Sequence, residues 1–464
     1  MSIIKSSLSY SISNMIIKFG GVIILPLVTS LLSPSEFGRI GLIVTFSSIL
    51  TVVLVMGLYV PQNNVQSGKL KESVYLPSQL ILWAINIAVI YMVFCVFLDY
   101  EIVASYLDKN EISQEQMRIC YVISIFSSLN IIISSYFKMN RRYYFVSVVS
   151  ISNFIFFYVF AFLLIGFFDL SVNGYLWSYV FSQVILFLIQ GWSYFANFSV
   201  GFNFKSIAYA IKNGLPVMLI ELVGRLNETL DRIILSRFIN TSDMGIYILA
   251  STGGKVISVF SSSFVNSIYP QIYESKSNAI KILELFYFPL SACVVLAQVL
   301  AMYSFHYFFS SDYNQLPLYF AMLLPVFSLQ YLYYIDHIYH AKEKSKYVTC
   351  ISIAILIVNS IISIIIIPIL GYIGAVISGI ICSIVRYSTL SIIAHKIFRI
   401  RVKAFYIIMP TFFQISYPFL IYLDVNSLIV DIVFLTLSLL MIIFSFGGLK
   451  KLLFSKLPDK EVVS

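Results

Sequence analysis

Continuous apolar runs of about 20 residues recur along the whole chain, for example at 81–98 and 351–367. Helices of this length match the hydrocarbon core of a bilayer, whereas the strands of a membrane barrel would be about ten residues long and would alternate in polarity. Of the 464 residues, 59% are hydrophobic and only 11% are charged. We therefore predict an all-α polytopic membrane protein with about 14 transmembrane helices joined by short loops.

Basic residues concentrate in alternate loops. Lys138, Arg141 and Arg142 follow the fourth predicted helix, and the segment 396–403 after the twelfth is also basic. The loop near 99–116 is acidic instead. Because basic loops stay on the cytoplasmic side, this pattern places both termini in the cytoplasm. The net charge of +9 then reflects membrane topology and does not indicate a nucleic-acid partner.

An internal repeat relates the two halves of the chain. Residues 35–40 (SEFGRI) and 242–247 (SDMGIY) follow the first helix of each half, and their glycines differ by 245 − 38 = 207 positions. KMNRRYYF (138–145) matches HAKEKSKY (340–347), and NGYLWSYV (173–180) matches IGAVISGI (373–380), in the same order. Six helices per half keep both halves in one orientation, as in transporters whose substrate binds between parallel repeats.

We accordingly predict a 6+6+2 arrangement with two pseudo-symmetric lobes around a central cavity. The N-lobe covers residues 1–200 with helices 1–6, and the C-lobe covers 201–398 with helices 7–12. Residues 399–464 hold helices 13 and 14 and a cytoplasmic tail.

The seventh predicted helix, LIELVGRLNETLDRIILSRF (219–238), carries an unusual density of charge. Glu221, Arg225, Glu228 and Arg232 fall within an arc of about 60° at about 100° per residue, and Asp231 flanks them. This stripe is about 16 Å long, so it crosses the middle of the bilayer. Each charge would cost roughly 2.5–3.5 kcal/mol if it faced lipid. The stripe must therefore face a water-filled cavity or a polar partner.

Two interpretations of these charges remain open. Glu221–Arg225 and Glu228–Arg232 have the acid-first i,i+4 spacing that favours ion pairs, so the charges could neutralise each other. Alternatively the cations bind a ligand. Even paired ions need a polar surround, because removing them from water is costly.

The repeat offset connects this helix with the first one. Since 225 − 207 = 18, Arg225 corresponds to Lys18, and 221 − 207 = 14 sets Asn14 opposite Glu221. We hypothesise that cations of both lobes hold an anionic group, because Lys and Arg form charge-assisted hydrogen bonds with phosphate oxygens. The candidate anion-binding residues are Lys18, Arg225, Arg232 and Lys255. The other polar residues of the predicted cavity are Asn14, Glu221, Glu228 and Asp231.

The carboxylates of Glu221, Glu228 and Asp231 are candidates for binding a coupling proton or Na⁺, or they only balance the positive charge of the arginines.

Lys255 and Arg386 are further buried cations of the predicted helices, although Arg386 could also snorkel to the interface. Asp336, His337 and His340 at a helix end indicate an interfacial polar cap. No catalytic constellation, phosphate loop or metal-ligand spacing occurs, so we predict no enzyme, no metal and no bound cofactor.

Four segments resemble the polysaccharide-specific transporters of the multidrug/oligosaccharidyl-lipid/polysaccharide exporter (MOP) superfamily, in particular O-antigen flippases of the Wzx type. These segments are GGVIILPLVTSLLSPSEFG (20–38), MGLYVPQ (56–62), the DRIILSRF and SDMGIYILAS stretches within 231–251, and LGYIGAVISG (370–379). The resemblance implies a flippase that moves undecaprenyl-diphosphate-linked oligosaccharide from the cytoplasmic to the periplasmic leaflet by alternating access. It also implies that Lys18, Arg225 and Lys255 are cavity cations, and that Asp231-Arg232 is a recurrent pair.

The same resemblance implies a bacterial inner-membrane location, membrane lipids as surroundings, and a polymerase or chain-length regulator as candidate partners. A multidrug antiporter of this superfamily is the first alternative, although such proteins usually have twelve helices and acidic or apolar cavities. A membrane glycan polymerase or ligase is the enzyme alternative, but those enzymes carry a large periplasmic loop. Here the predicted outside loops are short.

Overall fold

The computed structural model describes residues 3–62, 72–195, 203–274, 276–341, 344–398, 405–423, 425 and 427–454. Within these ranges the chain is helical and has no β-strand. The helices of the first half are α1 (Ile3–Thr29), α2 (Pro34–Val55), α3 (Glu72–Leu98), α4 (Glu101–Lys109), α5 (Gln114–Met139), α6 (Tyr143–Ala161), α7 (Ser171–Phe195) and α8 (Phe204–Leu235). Those of the second half are α9 (Thr241–Glu274), α10 (Lys276–Phe308), α11 (Leu316–Leu329), α12 (Tyr334–Ala341), α13 (Ser345–Leu370), α14 (Tyr372–Phe398), α15 (Phe405–Tyr422) and α16 (Ser427–Phe454).

The predicted number of membrane spans is confirmed. Thirteen helices in the described ranges are long and apolar enough to cross a bilayer, and the apolar part of α1, Met15–Thr29, adds a shorter candidate. One span consists of α11 and α12, which a 3₁₀ turn at Gln330–Tyr333 joins. The nine-residue α4 is too short to cross and connects two spans. The protein is therefore a multi-pass membrane protein.

The chain divides into two compact units, residues 1–248 and 249–464. In the first unit α8 packs against α2 and α3, and α5, α6 and α7 pack against one another. In the second unit α10 contacts α11, α15 and α16, while α13 packs on α14. The lobe boundaries at residues 200 and 398 were predicted from the sequence repeat. The division into compact units does not test them, so they stay predictions.

Two glycine contacts fix α2 inside the first unit. A Cβ on Gly38 of α2 would lie 3.0 Å from the backbone nitrogen of Gly245 in α9, and one on Gly245 would overlap the carbonyl oxygen of Pro34. After α2, Gly57 has a φ of +63° and its backbone meets that of Gly214 in α8. Gly38 and Gly245 belong to the two segments that the repeat pairs, so these related turns pack directly against each other.

A buried ion pair joins α14 to α12 in the second unit. Arg386 of α14 donates from Nη2 to Oδ2 of Asp336 at 2.7 Å, and its guanidinium lies 3.9 Å from the ring centroid of Tyr333. The Arg386 side chain is only 10% exposed. Arg386 therefore does not snorkel to the interface, because a carboxylate and an aromatic ring hold it inside the helix bundle.

Candidate functional site

The charged stripe lies on one long helix. α8 spans 32 residues and contains Pro216 without a break in the helix. Its start is capped by the side-chain oxygen of Asn203, which accepts a hydrogen bond from the backbone nitrogen of Lys205 at 2.9 Å. Because the helix is continuous, the residues of the stripe keep the single face that their spacing predicts.

The short helix α4 contacts the chain at the C-terminal end of α8. The Tyr106 hydroxyl hydrogen-bonds with the Ser236 hydroxyl, and the Lys109 ammonium donates to the carbonyl oxygen of Arg237. Burial, together with the nearby Arg237 guanidinium, lowers the pKa of Lys109. Next to this contact Arg39 and Glu111 form a 3.8 Å ion pair. α8 is thus held at both ends within the first unit.

Glu221 and Arg225 do not pair with each other. The Tyr59 hydroxyl donates to Oε1 of Glu221, and Arg225 Nη1 donates to Oε2 of Glu228 at 3.2 Å. One of the two predicted i,i+4 pairs is therefore wrong, because a tyrosine from the segment after α2 takes the first carboxylate. Arg225 turns instead toward the acid three residues further along.

Arg225 remains accessible although it is paired. Its side chain is 42% exposed, and that of Glu228 is 54% exposed. A guanidinium has five N–H donors, and the hydrogen bond to Glu228 uses one of them. The hydroxyl of Tyr179 on α7 lies within electrostatic range of Arg225. The remaining donors suit the oxygens of an anion such as a phosphate.

Asp231 and Arg232, further along α8, are more deeply buried than Arg225 and Glu228. Asp231 accepts a hydrogen bond at Oδ2 from the Tyr247 hydroxyl, and its buried Oδ1 has no hydrogen-bond partner among the described residues. Arg232 is only 9% exposed and acts on the same tyrosine hydroxyl. This geometry gives Asp231 and Arg232 a structural position between α8 and α9, whereas Arg225 is open to a ligand.

The remaining predicted residues lie on other helices. Lys18 lies on α1 of the first unit with an exposed side chain. Asn14 belongs to the same helix, but its side chain lies outside the described part of the chain. Lys255 lies on α9 in the second unit, where its side chain is exposed and not buried as predicted, so its charge stays accessible.

Three tyrosines complete the surroundings of the stripe. Tyr59 and Tyr247 donate to Glu221 and Asp231, and Tyr179 lies within electrostatic range of Arg225. The sequence contains 33 tyrosines, and no spacing distinguishes these three. They approach α8 from separate parts of the chain, and Tyr59 is 162 residues away from its partner. Only the tertiary structure could identify them.

The family of the chain follows from comparison with known proteins. A family model described as "Polysaccharide biosynthesis protein" matches residues 27–297, more than half of the chain. A sequence comparison with curated proteins finds no significant match.

Solved transporter structures share the fold. The lipid II flippase MurJ in an inward closed conformation superposes with a TM-score of 0.70 at 17% identity, and the match covers 96% of this chain and 99% of MurJ. An inward-facing multidrug resistance MATE transporter of the MOP superfamily gives a TM-score of 0.60 at 13% identity, covering 83% and 99%. A MOP superfamily transporter from Pyrococcus furiosus, described as having a binding pocket of reverse polarity that suggests a different function, gives 0.53 at 15%, covering 84% and 96%. These matches confirm the predicted fold class.

Proposed function

Because the chain belongs to the polysaccharide biosynthesis protein family and has the fold of MOP superfamily transporters, we propose that it is a flippase for lipid-linked oligosaccharide. The proposed cargo is an undecaprenyl-diphosphate-linked repeat unit of O-antigen or a similar surface polysaccharide. It moves from the cytoplasmic to the periplasmic leaflet of a bacterial inner membrane by alternating access. Both termini lie in the cytoplasm, as the positive-inside rule predicts.

The accessibility of Arg225 carries this proposal. An arginine that is 42% exposed in the middle of a membrane span is costly unless it serves a polar ligand. Arg225 contacts Glu228 with one donor, and two other acids of the stripe are engaged elsewhere, since Glu221 accepts from Tyr59 and Asp231 accepts from Tyr247. A diphosphate carries negative charge and oxygen acceptors, which match the N–H donors of the Arg225 guanidinium and the Lys18 ammonium. Arg232 on the same helix and Lys255 of the second unit stay predicted anion-binding residues.

A multidrug antiporter is the second candidate, since MATE transporters share the fold. The description of the Pyrococcus furiosus transporter associates a change of pocket polarity with a change of function. In this chain two accessible cations, Lys18 and Arg225, favour an anionic cargo over a cationic drug. An intramembrane cation would repel a cationic drug, so the observation favours the flippase.

The test neutralises one accessible cation at a time in a strain that lacks the chromosomal copy. Arg225→Gln and Lys18→Gln should each lower surface polysaccharide by about tenfold, which is the loss of roughly one charge-assisted hydrogen bond. Lipid-linked repeat units should accumulate on the cytoplasmic side. Lys212→Gln is the matched control, because Lys212 is an exposed cation on the opposite face of α8. Membrane levels of each variant are measured by immunoblot.

Normal surface polysaccharide in both variants would contradict the proposal. Normal polysaccharide combined with raised drug sensitivity in the deletion strain would favour the antiporter.

We further propose that Glu221, Glu228 or Asp231 couples transport to a proton or Na⁺ gradient. A polymerase and a chain-length regulator are the proposed protein partners, and the surrounding lipids complete the environment.

A further inference from the structure

The helix α7 carries two aromatic stripes of different chemistry. Tyr175 and Tyr179 are four residues apart and lie on one face, where both side chains are half-buried. Trp177 and Phe181 lie on the opposite face, where they stack at 5.8 Å and are 37% and 41% exposed. The two tyrosines thus lie on the more buried face of α7, and Trp177 and Phe181 lie on its more exposed face.

The tyrosine stripe continues onto α6 as a cluster around Phe157. Tyr158, Tyr175 and Tyr179 surround this ring at centroid distances of 4.9, 5.1 and 5.6 Å, all in edge-to-face geometry. We call these four residues the aromatic wall. All four residues are half-buried. Edge-to-face packing is a favourable arrangement of aromatic rings.

The aromatic wall lies near the two helices that carry Lys18 and Arg225. Tyr179 is within electrostatic range of Arg225 on α8. On the other side α1 packs on α6, and a Cβ on Gly21 would lie 3.7 Å from the hydroxyl oxygen of Tyr158. Lys18 is three residues before Gly21, hence on a similar face of α1. The wall therefore contacts the helix that carries Lys18 and lies within electrostatic range of Arg225.

We propose that the aromatic wall binds the sugar residues of the lipid-linked cargo. A pyranose ring has an apolar C–H face and a rim of hydroxyl groups. A tyrosine matches both features, because it offers a flat apolar ring and a hydroxyl that donates and accepts hydrogen bonds. This assignment rests on the proposed function, and charge complementarity supports it: a diphosphate held by Lys18 and Arg225 places its attached sugar next to the wall.

The test measures the binding of two lipid probes to the full-length protein in nanodiscs. One probe is undecaprenyl diphosphate without sugar, and the other is the glycan-bearing lipid diphosphate extracted from cells depleted of the transporter. Replacing Tyr175 and Tyr179 together by Ala should weaken binding of the glycan-bearing probe by about tenfold, since two aromatic contacts are lost. Binding of the bare diphosphate should change less than twofold.

Control variants separate this inference from the proposed function. Phe181→Leu on the outward stripe should leave both probes unchanged. Arg225→Gln should weaken both probes, and its failure to do so would contradict the diphosphate site itself. If the double Ala variant does not fold, Tyr175→Phe with Tyr179→Phe keeps the rings and should still weaken the glycan-bearing probe by about threefold through lost hydrogen bonds. Equal effects of the tyrosine variants on both probes, or no effect on either, would overturn the inference.

Discussion

At the scale of single residues, the Tyr59 hydroxyl keeps Glu221 away from Arg225. We predict that Tyr59→Phe weakens binding of undecaprenyl diphosphate by about fivefold, because the freed carboxylate competes for the guanidinium four residues away. Microscale thermophoresis in nanodiscs measures this change. Adding Glu221→Gln should restore the affinity, since the competing charge is then absent. Wild-type affinity in the Tyr59→Phe protein would show that Tyr59 has no such role.

The sequence could predict which residues of α8 share a face but not which partners they take. Helical periodicity puts Glu221, Arg225, Glu228 and Arg232 together, and the structure retains that face. An i,i+4 acid–base spacing stabilises a helix by only about 0.2–0.5 kcal/mol, so one tyrosine hydroxyl from a distant segment is enough to change the pairing. The burial of Arg386 could not be predicted from local spacing either, because its partner Asp336 lies 50 residues away in the sequence.

At the scale of helices, the contact between Gly38 and Gly245 sets how closely α2 and α9 approach. We predict that Gly245→Ala lowers the melting temperature or prevents accumulation in the membrane, because its Cβ would overlap the carbonyl oxygen of Pro34. Gly224→Ala on α8 is the matched control, since a Cβ there has no atom within 4 Å. That variant should gain roughly 0.5–1 kcal/mol of helix stability. Thermal unfolding of a fluorescent fusion in detergent distinguishes the two.

A lower melting temperature for Gly224→Ala than for Gly245→Ala would contradict this packing.

The sequence indicated Gly38 and Gly245 only as a weak repeat signal, since turns commonly reuse glycine with serine and acidic residues. It could not show that the two related turns touch, because repeat symmetry relates segments without fixing the distance between them. It did predict the helices themselves, since apolar runs long enough to span a bilayer leave few alternatives.

At the scale of the whole molecule, the fold was accessible from the sequence and the cargo was not. Length, apolar runs and loop charges predicted a multi-pass helical protein, and the matches to MurJ and MATE transporters confirm that fold. Those relatives are only 13% to 17% identical to this chain, so the substrate must be argued from the side chains. The accessible Arg225 and the neighbouring aromatic wall are the features that argue for a glycan on a diphosphate lipid.

The most direct test reconstitutes the purified protein into liposomes that contain the glycan-bearing lipid diphosphate in both leaflets. A membrane-impermeant glycan oxidant first modifies the outer pool, and the rate at which fresh glycan appears outside is then followed. We predict that the wild-type protein exchanges this lipid between leaflets and that Arg225→Gln slows the exchange by about tenfold. Exchange no faster than in protein-free liposomes, or an Arg225→Gln rate equal to wild type, would contradict the central claim.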